Sequence, residues 1–334
     1  MHNSLSADPS PPRDGYIYTK LGDLLGNAGN PQSRRDLQQV LTVIESAAYA
    51  AGEITLETVG KIAIKSTKTN TRDLVTESDV ACQALIKKII TNDFPNDVFL
   101  GEEDVDLVSD GGAVALKKAL GSGNIGDDPL LFVVDPIDGT TNFQAGLPLY
   151  AISIGVVSLR GERPEIVAGV IYNPLLGEMT SAVRGRGCYL NNNRIQHETD
   201  EHDQPRKSVL NESLINVGFP IAKESTLQAS SRAVTALATE VRGLRMIASA
   251  SQTMAWVAHN KLNAYFSWDL NAWDIAAGVV IVEESGGLVS NFDGSNADIS
   301  SRDMIITCCA QRGEEGVLRD ELVHLLREND CLNY

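Results

Sequence analysis

The chain has 334 residues, 43% hydrophobic and 22% charged, with a formal net charge of −16 and a pI near 4.7. These proportions are ordinary for a soluble globular protein. They exclude a nucleic-acid partner, because no basic stripe is there to neutralise phosphates, and no apolar run reaches the roughly 20 residues of a membrane span. Cys82, Cys188, Cys308, Cys309 and Cys331 show no C-x-x-C spacing and read as reduced thiols of a cytoplasmic compartment. The five histidines are dispersed, and no zinc pattern is present.

Residues 1–32 are rich in Pro, Ser, Asp, Asn and Gly and read as a flexible extension. They lack the apolar core of a signal peptide, and Asp8 and Asp14 are wrong for a transit peptide, although a cleaved extension stays open. Ser33 is placed to cap a helix to about residue 58, with Leu37, Val40, Leu41, Ile44, Ala48 and Ala51 on one face. A polar connection follows over 65–73. Thr76-Glu-Ser-Asp79 has the form of a capping box, and Leu85/Ile89 and Ile86/Ile90 are i,i+4 pairs of a second helix that Pro95 ends. A short strand at 98–100 delivers Glu102. Residues 104–129 are an acidic, glycine-rich excursion, read as a surface loop with a short helix near 114–120. The apolar run 131–134 reads as a buried strand. Strands at 150–159, 166–172, 177–183 and 187–190 continue an antiparallel region, with a turn at Asn191-Asn-Asn193. The polar stretch 197–207 reads as a linker between an N-terminal α+β half, 33–196, and a C-terminal α/β half, 208–330. In the latter, strands at 213–217, 244–247, 263–266, 288–291 and 304–308 alternate with helices at 227–241, 251–259, 273–284 and 317–327. That alternation predicts a sheet covered by helices.

The chemistry concentrates at Asp135-Pro-Ile-Asp-Gly-Thr-Thr-Asn-Phe143, where the buried strand releases two carboxylates, a glycine and two hydroxyls. Burying two unpaired carboxylates costs several kcal/mol. A divalent cation is the usual compensation, since hard cations take oxygen ligands. Gly139 and Thr140 can offer backbone N–H groups to an anion beside it. Glu102 closes another strand. Asp274 stands at the start of the 273–284 helix, where it either caps the helix or serves a metal. Asp79 either closes its capping box or orients a hydroxyl. Two or three carboxylates around shared cations, about 3.5–4 Å apart, suit two-metal phosphoryl chemistry.

These residues closely resemble the inositol monophosphatase family. The likeness runs through Asp73-Leu-Val-Thr-Glu-Ser-Asp79, Gly101-Glu-Glu103, the Asp135 to Phe143 motif, Gly169-Val-Ile-Tyr-Asn-Pro174, Arg184-Gly-Arg-Gly187, Trp273-Asp-Ile-Ala-Ala-Gly278 and Glu284-Ser-Gly-Gly287. It implies the layered αβαβα sandwich shared with fructose-1,6-bisphosphatase, an α+β half and an α/β half with the active site between them. It implies two or three Mg²⁺ ions per site. Glu102, Asp135 and the Ile137 carbonyl hold the first; Asp135, Asp138 and Asp274 hold the second; Glu102 reaches a third through water. The N–H groups of Gly139 and Thr140 take phosphate oxygens, and the Thr140 hydroxyl with Asp79 activates the nucleophilic water. Asp138, Ser249, Ala250 and Ser267 lie against the substrate, and Lys65, with Lys68 as rival, lies near the metals.

The resemblance thus implies Mg²⁺-dependent hydrolysis of a small phosphate monoester, inositol monophosphate first, with Li⁺ sensitivity, a homodimer and a cytoplasmic location. Two positions depart from the family. Ser267 stands where inositol phosphatases place an acid that contacts substrate hydroxyls, with Asp269 close by in sequence, and Ala248 stands where glycine is usual. Other substrates therefore compete: histidinol phosphate, fructose 1,6-bisphosphate or adenosine 3′,5′-bisphosphate. Thr141-Asn142 speaks against the nucleotide branch, which carries Lys-Gly there. A non-catalytic binding subunit is the reading from a different class, opposed by the intact set Glu102, Asp135, Asp138, Thr140 and Asp274.

Overall fold

The computed structural model describes residues 35–61, 64–67, 74–105, 111–122, 128–196, 209–220, 223–308 and 317–332. The chain divides into Met1–Arg35 and Asp36–Tyr334, and the second unit carries everything below. The N-terminal extension, Ser33, Lys68, the 197–207 linker and Cys309 lie outside the described residues.

The first helix, α1 (Leu37–Thr58), is capped by Asp36, whose carboxylate accepts the Gln38 N–H at 2.9 Å. Its buried stripe holds Val40, Leu41, Ile44, Ala47, Ala48 and Ala51. The polar stretch expected to be a connection contains a strand, β1 (Ile64–Thr67), paired antiparallel with β2 (Leu74–Thr76). Then come α2 (Glu77–Asp93), β3 (Val98–Gly101), α3 (Gly111–Ser122), β4 (Leu130–Asp138) and the short α4 (Thr140–Gln144). Five further strands complete the first sheet: β5 (Ala151–Ser158), β6 (Glu165–Asn173), β7 (Glu178–Val183), β8 (Gly187–Leu190) and β9 (Asn193–Arg194). Asn191 and Asn192 take positive φ in the β8–β9 turn, a conformation that asparagine tolerates. The C-terminal part runs β10 (Leu214–Val217), α5 (Glu224–Leu237), β11 (Gly243–Arg245), α6 (Ala250–Ala258), β12 (Ala264–Ser267), α7 (Ala272–Glu284), β13 (Leu288–Asn291), β14 (Met304–Thr307) and α8 (Val317–Glu328).

The seven-stranded sheet has the order β3-β4-β5-β6-β7-β8-β9, parallel only between β3 and β4. The five-stranded sheet has the order β11-β10-β12-β14-β13, parallel across its first three strands and antiparallel after. Helices α1 and α2 pack on one face of the larger sheet, and α7 packs on the other. Helix α6 lies beside α7 and against β12 and β14, while α5 and α8 pack together on the outer face of the smaller sheet, in a core with Phe266 and Trp268. The layers are αβαβα, as the family resemblance implied. Both faces of the larger sheet are therefore dry, which is why β4 reads as a continuous apolar run. Leu130, Phe132 and Val134 face α1 and α2, whereas Leu131 and Val133 face the central helices. Helix α7 comes very close to that sheet. A Cβ added at Gly155 of β5 would lie 2.4 Å from Ala276 Cβ, so only glycine admits the helix at this depth.

Candidate active site

The apolar run predicted to end at Val134 continues as strand through Asp138. Against β5, Asp135 pairs with Ser153 but Asp138 pairs with Ala151, so β4 spends one extra residue there. Pro136 has no N–H to give the ladder, and a bulge is where a sheet tolerates proline. The bulge also sets direction. In a regular strand, residues three apart face opposite sides; the extra residue brings Asp138 back to the side of Asp135. Both carboxylates point toward the central helices, and the Ile137 side chain packs among α1 and α2. The Ile137 N–H donates to Asp135 Oδ1 at 3.1 Å.

Asp274 arrives from the first turn of α7, and the three carboxylates present oxygens all within 4.8 Å of one another. Asp135 and Asp138 are buried, and Asp274 is half-buried. At an effective dielectric near 20, two charges 4.8 Å apart repel by about 3.5 kcal/mol. Burial, then the charge of Asp138, holds the Asp274 carboxyl well above the ordinary range, with Glu102 adding; the Asn271 N–H and Arg302 oppose the rise. Burial likewise raises Asp138, partly offset by bonds from Ser251 and Ser249. Such a cluster must take up protons or a cation. The donors are all hard oxygens, the kind Mg²⁺ takes at about 2.1 Å, so opposite ligands on one ion stand roughly 4.2 Å apart. The observed spacing fits a shared ion after slight contraction.

Asp138 Oδ2 accepts from the Ser249 hydroxyl at 2.8 Å and from both the N–H and hydroxyl of Ser251. These donors open α6, where helix N–H groups lack internal partners. One oxygen of Asp138 is thus committed to α6, leaving the other for the cluster. Ser249 and Ala250, expected at the substrate, are turned toward Asp138. Gly139 sits at φ +94°, and a Cβ there would lie 2.9 Å from Leu149 O and 3.1 Å from Ser249 Cβ. Left-handed backbone in that confined turn calls for glycine.

Asp79 meets both the cap and the hydroxyl considered for it. Its Oδ2 accepts the Thr76 N–H at 2.8 Å, closing the capping box of α2. Its Oδ1 lies 3.3 Å from the Thr140 hydroxyl, which also stands 3.1 Å from the Ile137 carbonyl. Asp274 is dual in the same way: its Oδ2 accepts the Asn271 N–H at 2.6 Å as part of the α7 capping box, while the carboxylate belongs to the cluster. Glu102 is not one of the three clustered acids, but its charge acts on Asp274. It follows Gly101, which pairs in parallel with Val134, so it leaves β3 level with Asp135.

Ser267 is buried, and its hydroxyl donates to the Trp268 carbonyl at 3.2 Å. Asp269 does not take its place: its carboxylate meets Lys223 and Thr226, each at 2.8 Å, at the start of α5. Lys65 belongs to β1, but its side chain lies outside the described residues.

Several residues went unread in the sequence. Gln83, one turn after Asp79 on α2, accepts the Glu103 N–H at 2.9 Å and so fixes the turn that carries Glu102. Its i,i+4 spacing from Asp79 was an available signal. Ser251 repeats Ser249 two residues on. Tyr265 is buried beside the cluster; burial pushes its hydroxyl pKa up, the Ser267 bond opposes, and the charges of Asp138 and Asp274 add to the rise. The described portion of the excursion, α3, packs on β3 and α7. Among the described residues Cys82, Cys188, Cys308 and Cys331 are buried; burial pushes the Cys82 thiol up to about 12.

The profile of the inositol monophosphatase family matches residues 36–329. "Inositol monophosphatase 1" of Solanum lycopersicum is 33% identical over 273 residues, 81% of this chain and 91% of that protein. "Nus factor SuhB" of Haemophilus influenzae is 32% identical over 271 residues, 80% of this chain and 91% of that protein. Among solved structures, the extragenic suppressor protein suhB of Bartonella henselae superposes with a TM-score of 0.70 at 28% identity, covering 87% of this chain and 99% of that one. The Thermotoga maritima IMPase gives 0.66 at 26% identity, over 88% and 98%.

Proposed function

The chain belongs to the inositol monophosphatase family, and from that premise we propose that it is a Mg²⁺-dependent phosphatase of small phosphate monoesters, inositol monophosphate first among them. The observation that carries this reading is the carboxylate cluster of Asp135, Asp138 and Asp274 beside the Asp79–Thr140 pair. Asp135, Asp138, Asp274, Glu102 and the Ile137 carbonyl would hold two or three Mg²⁺ ions. Bound there, Mg²⁺ neutralises the phosphate dianion, lowers the pKa of water and stabilises the leaving alkoxide.

The chain's own groups do the rest. Thr140 donates its single proton to Asp79 and keeps lone pairs to orient the attacking water. The N–H groups of Gly139 and Thr140 receive phosphate oxygens. Ser249 and Ala250 would lie against the substrate, and Ser249 with Ser251 also holds Asp138 in place. Ser267 offers a neutral hydroxyl where an acid would grip substrate hydroxyls more firmly, which keeps histidinol phosphate, fructose 1,6-bisphosphate and adenosine 3′,5′-bisphosphate in the test. A homodimer and a cytoplasmic location belong to the same reading; no helix among the described residues is long and apolar enough to cross a membrane.

The test is phosphate release by the full chain from inositol monophosphate and those three competitors, with Mg²⁺ and with chelator. Mg²⁺-dependent release that is highest with inositol monophosphate supports the reading. No release from any of the four removes the enzyme reading and leaves a binding role.

A further inference from the structure

Asp274 reaches the metal cluster from the first turn of α7, and what holds that turn lies far away in sequence. The turn is closed by a capping box: the Asn271 side chain faces the Asp274 N–H, which donates to the Asn271 carbonyl at 3.2 Å, and Asp274 Oδ2 accepts the Asn271 N–H at 2.6 Å. An asparagine cap has a weakness that aspartate or serine lacks. Its amide carries an acceptor at one end and two donors at the other, and only the acceptor can cap. Rotated by half a turn, the same side chain would point N–H groups at the N–H groups of the helix.

Arg302 removes that ambiguity. Its Nη1 donates to Asn271 Oδ1 at 3.1 Å. A guanidinium has donors only, so it can face only the oxygen of the amide. The same arginine donates Nη2 to the Asp269 carbonyl at 3.2 Å, and its own carbonyl accepts the Leu270 N–H at 2.9 Å. Asp269 sits at φ 56°, unusual for a residue with a side chain, and is pinned by Lys223, Thr226 and, through its N–H, Asp303. Residues 269–271 thus form a short strut between β12 and α7, clasped by Arg302 along its length.

We propose that Arg302 is a positioning residue for the metal site: by fixing the orientation of Asn271 it sets the Asp274 carboxylate that completes the cluster. The proposal rests on the phosphatase reading, in which Asp274 is a Mg²⁺ ligand. Partners that orient a metal ligand typically change metal affinity by 10–100-fold when removed.

The test is calorimetric titration of the metal-stripped full chain with Mg²⁺, alongside its melting temperature in chelator and its substrate KM at saturating Mg²⁺. Arg302→Met is expected to weaken Mg²⁺ binding about tenfold, with KM unchanged. Asn271→Ala should give a similar loss while keeping the bonds from Arg302 to Asp269, and it stands in if Arg302→Met does not fold. The double variant Arg302→Met/Asn271→Ser should recover most of the affinity, because a serine cap needs no arginine to orient it. Full Mg²⁺ affinity in either single variant overturns the proposal, even if melting falls. Failure of the double variant to recover also overturns it, since the arginine would then act by its charge or by its bond to the Asp269 carbonyl and not through Asn271. A wild-type chain that takes up no Mg²⁺ overturns the phosphatase reading together with this one; uptake by wild type and variants alike overturns this one only.

Discussion

Replacing Asp138 with asparagine removes one negative charge from three carboxylates whose oxygens lie within 4.8 Å of one another. Each ionised pair at 4.8 Å or closer costs at least about 3.5 kcal/mol at an effective dielectric near 20, so in a fully ionised cluster the substitution would relieve roughly 7 kcal/mol or more. The full amount is never reached, because without metal the cluster holds protons instead. Keeping a proton at pH 7 on a carboxylate of ordinary pKa costs about 4 kcal/mol, which caps the gain. The neutral amide can still present its oxygen to Ser249 and Ser251, so the hydrogen bonds on that side survive. A net gain of about 2 kcal/mol is therefore expected in chelator, a rise of roughly 3 °C in Tm for a unit of about 300 residues. Saturating Mg²⁺ at 100 times its Kd should stabilise the wild type by about 2.7 kcal/mol and the variant by far less. Turnover should fall by more than the roughly 100-fold seen on losing a partner of a metal ligand. Differential scanning calorimetry with and without Mg²⁺, beside phosphate release, reads all three. A variant that melts below wild type in chelator, or that keeps the Mg²⁺ increment and turnover, would show that Asp138 is not part of a charge-frustrated metal site.

Other outcomes follow from the same geometry. Gly139→Ala places a Cβ 2.9 Å from Leu149 O at φ +94° and should cost about 2–3 kcal/mol in urea unfolding, with loss of turnover. Ala248→Gly should stabilise the chain, because Ala248 sits at φ 57°; left-handed backbone costs alanine about 1–2 kcal/mol, and greater unfolded-state freedom returns roughly half of that. Gln83→Leu strips the acceptor from the Glu103 N–H and should cost about 1–3 kcal/mol, with a weaker Mg²⁺ dependence as Glu102 loses its place. The pKa values of Asp138 and Asp274 are raised in the folded state, so the metal-free fold binds more protons than the unfolded chain. Its stability is then greatest below the ordinary carboxylate pKa of about 4 and falls as pH rises through the raised values. Mg²⁺ affinity should climb across that window as metal displaces protons, and thermal melts from pH 4 to 8 with and without Mg²⁺ would detect a flat profile if the cluster does not titrate.

Local signals carried much of this molecule. The α1 stripe and the α2 pairs each state their own partner face, because one side of a helix is apolar at the period of the helix, and the unbroken run of β4 states that both its faces are covered. The motif from Asp135 to Thr140 was legible for the same reason: its carboxylates, glycine and hydroxyl are neighbours in sequence. Asp79 and Asp274 were legible as helix starts, yet sequence posed cap and site as alternatives, whereas one carboxylate has two oxygens: each closes its cap, while Asp79 also meets the Thr140 hydroxyl and Asp274 also joins the acidic cluster. Illegible features were long-range. Nothing near Arg302 announces that it grips Asn271, 31 residues away, and nothing in Asp269 tells that its carboxylate is spent on α5. The strand β1 was missed because its Lys65, Ser66 and Thr67 carry no apolar alternation; pairing with β2 makes it a strand.

The bulge in β4 turns the spacing of Asp135 and Asp138 into a condition of parity. At their spacing of three, a regular ladder would rotate Asp138 into the apolar layer that Ile137 now occupies; the bulge alone keeps both acids on one side. A change that straightens the strand here, with composition and hydropathy almost untouched, is therefore far less tolerable than a substitution that leaves the bulge in place.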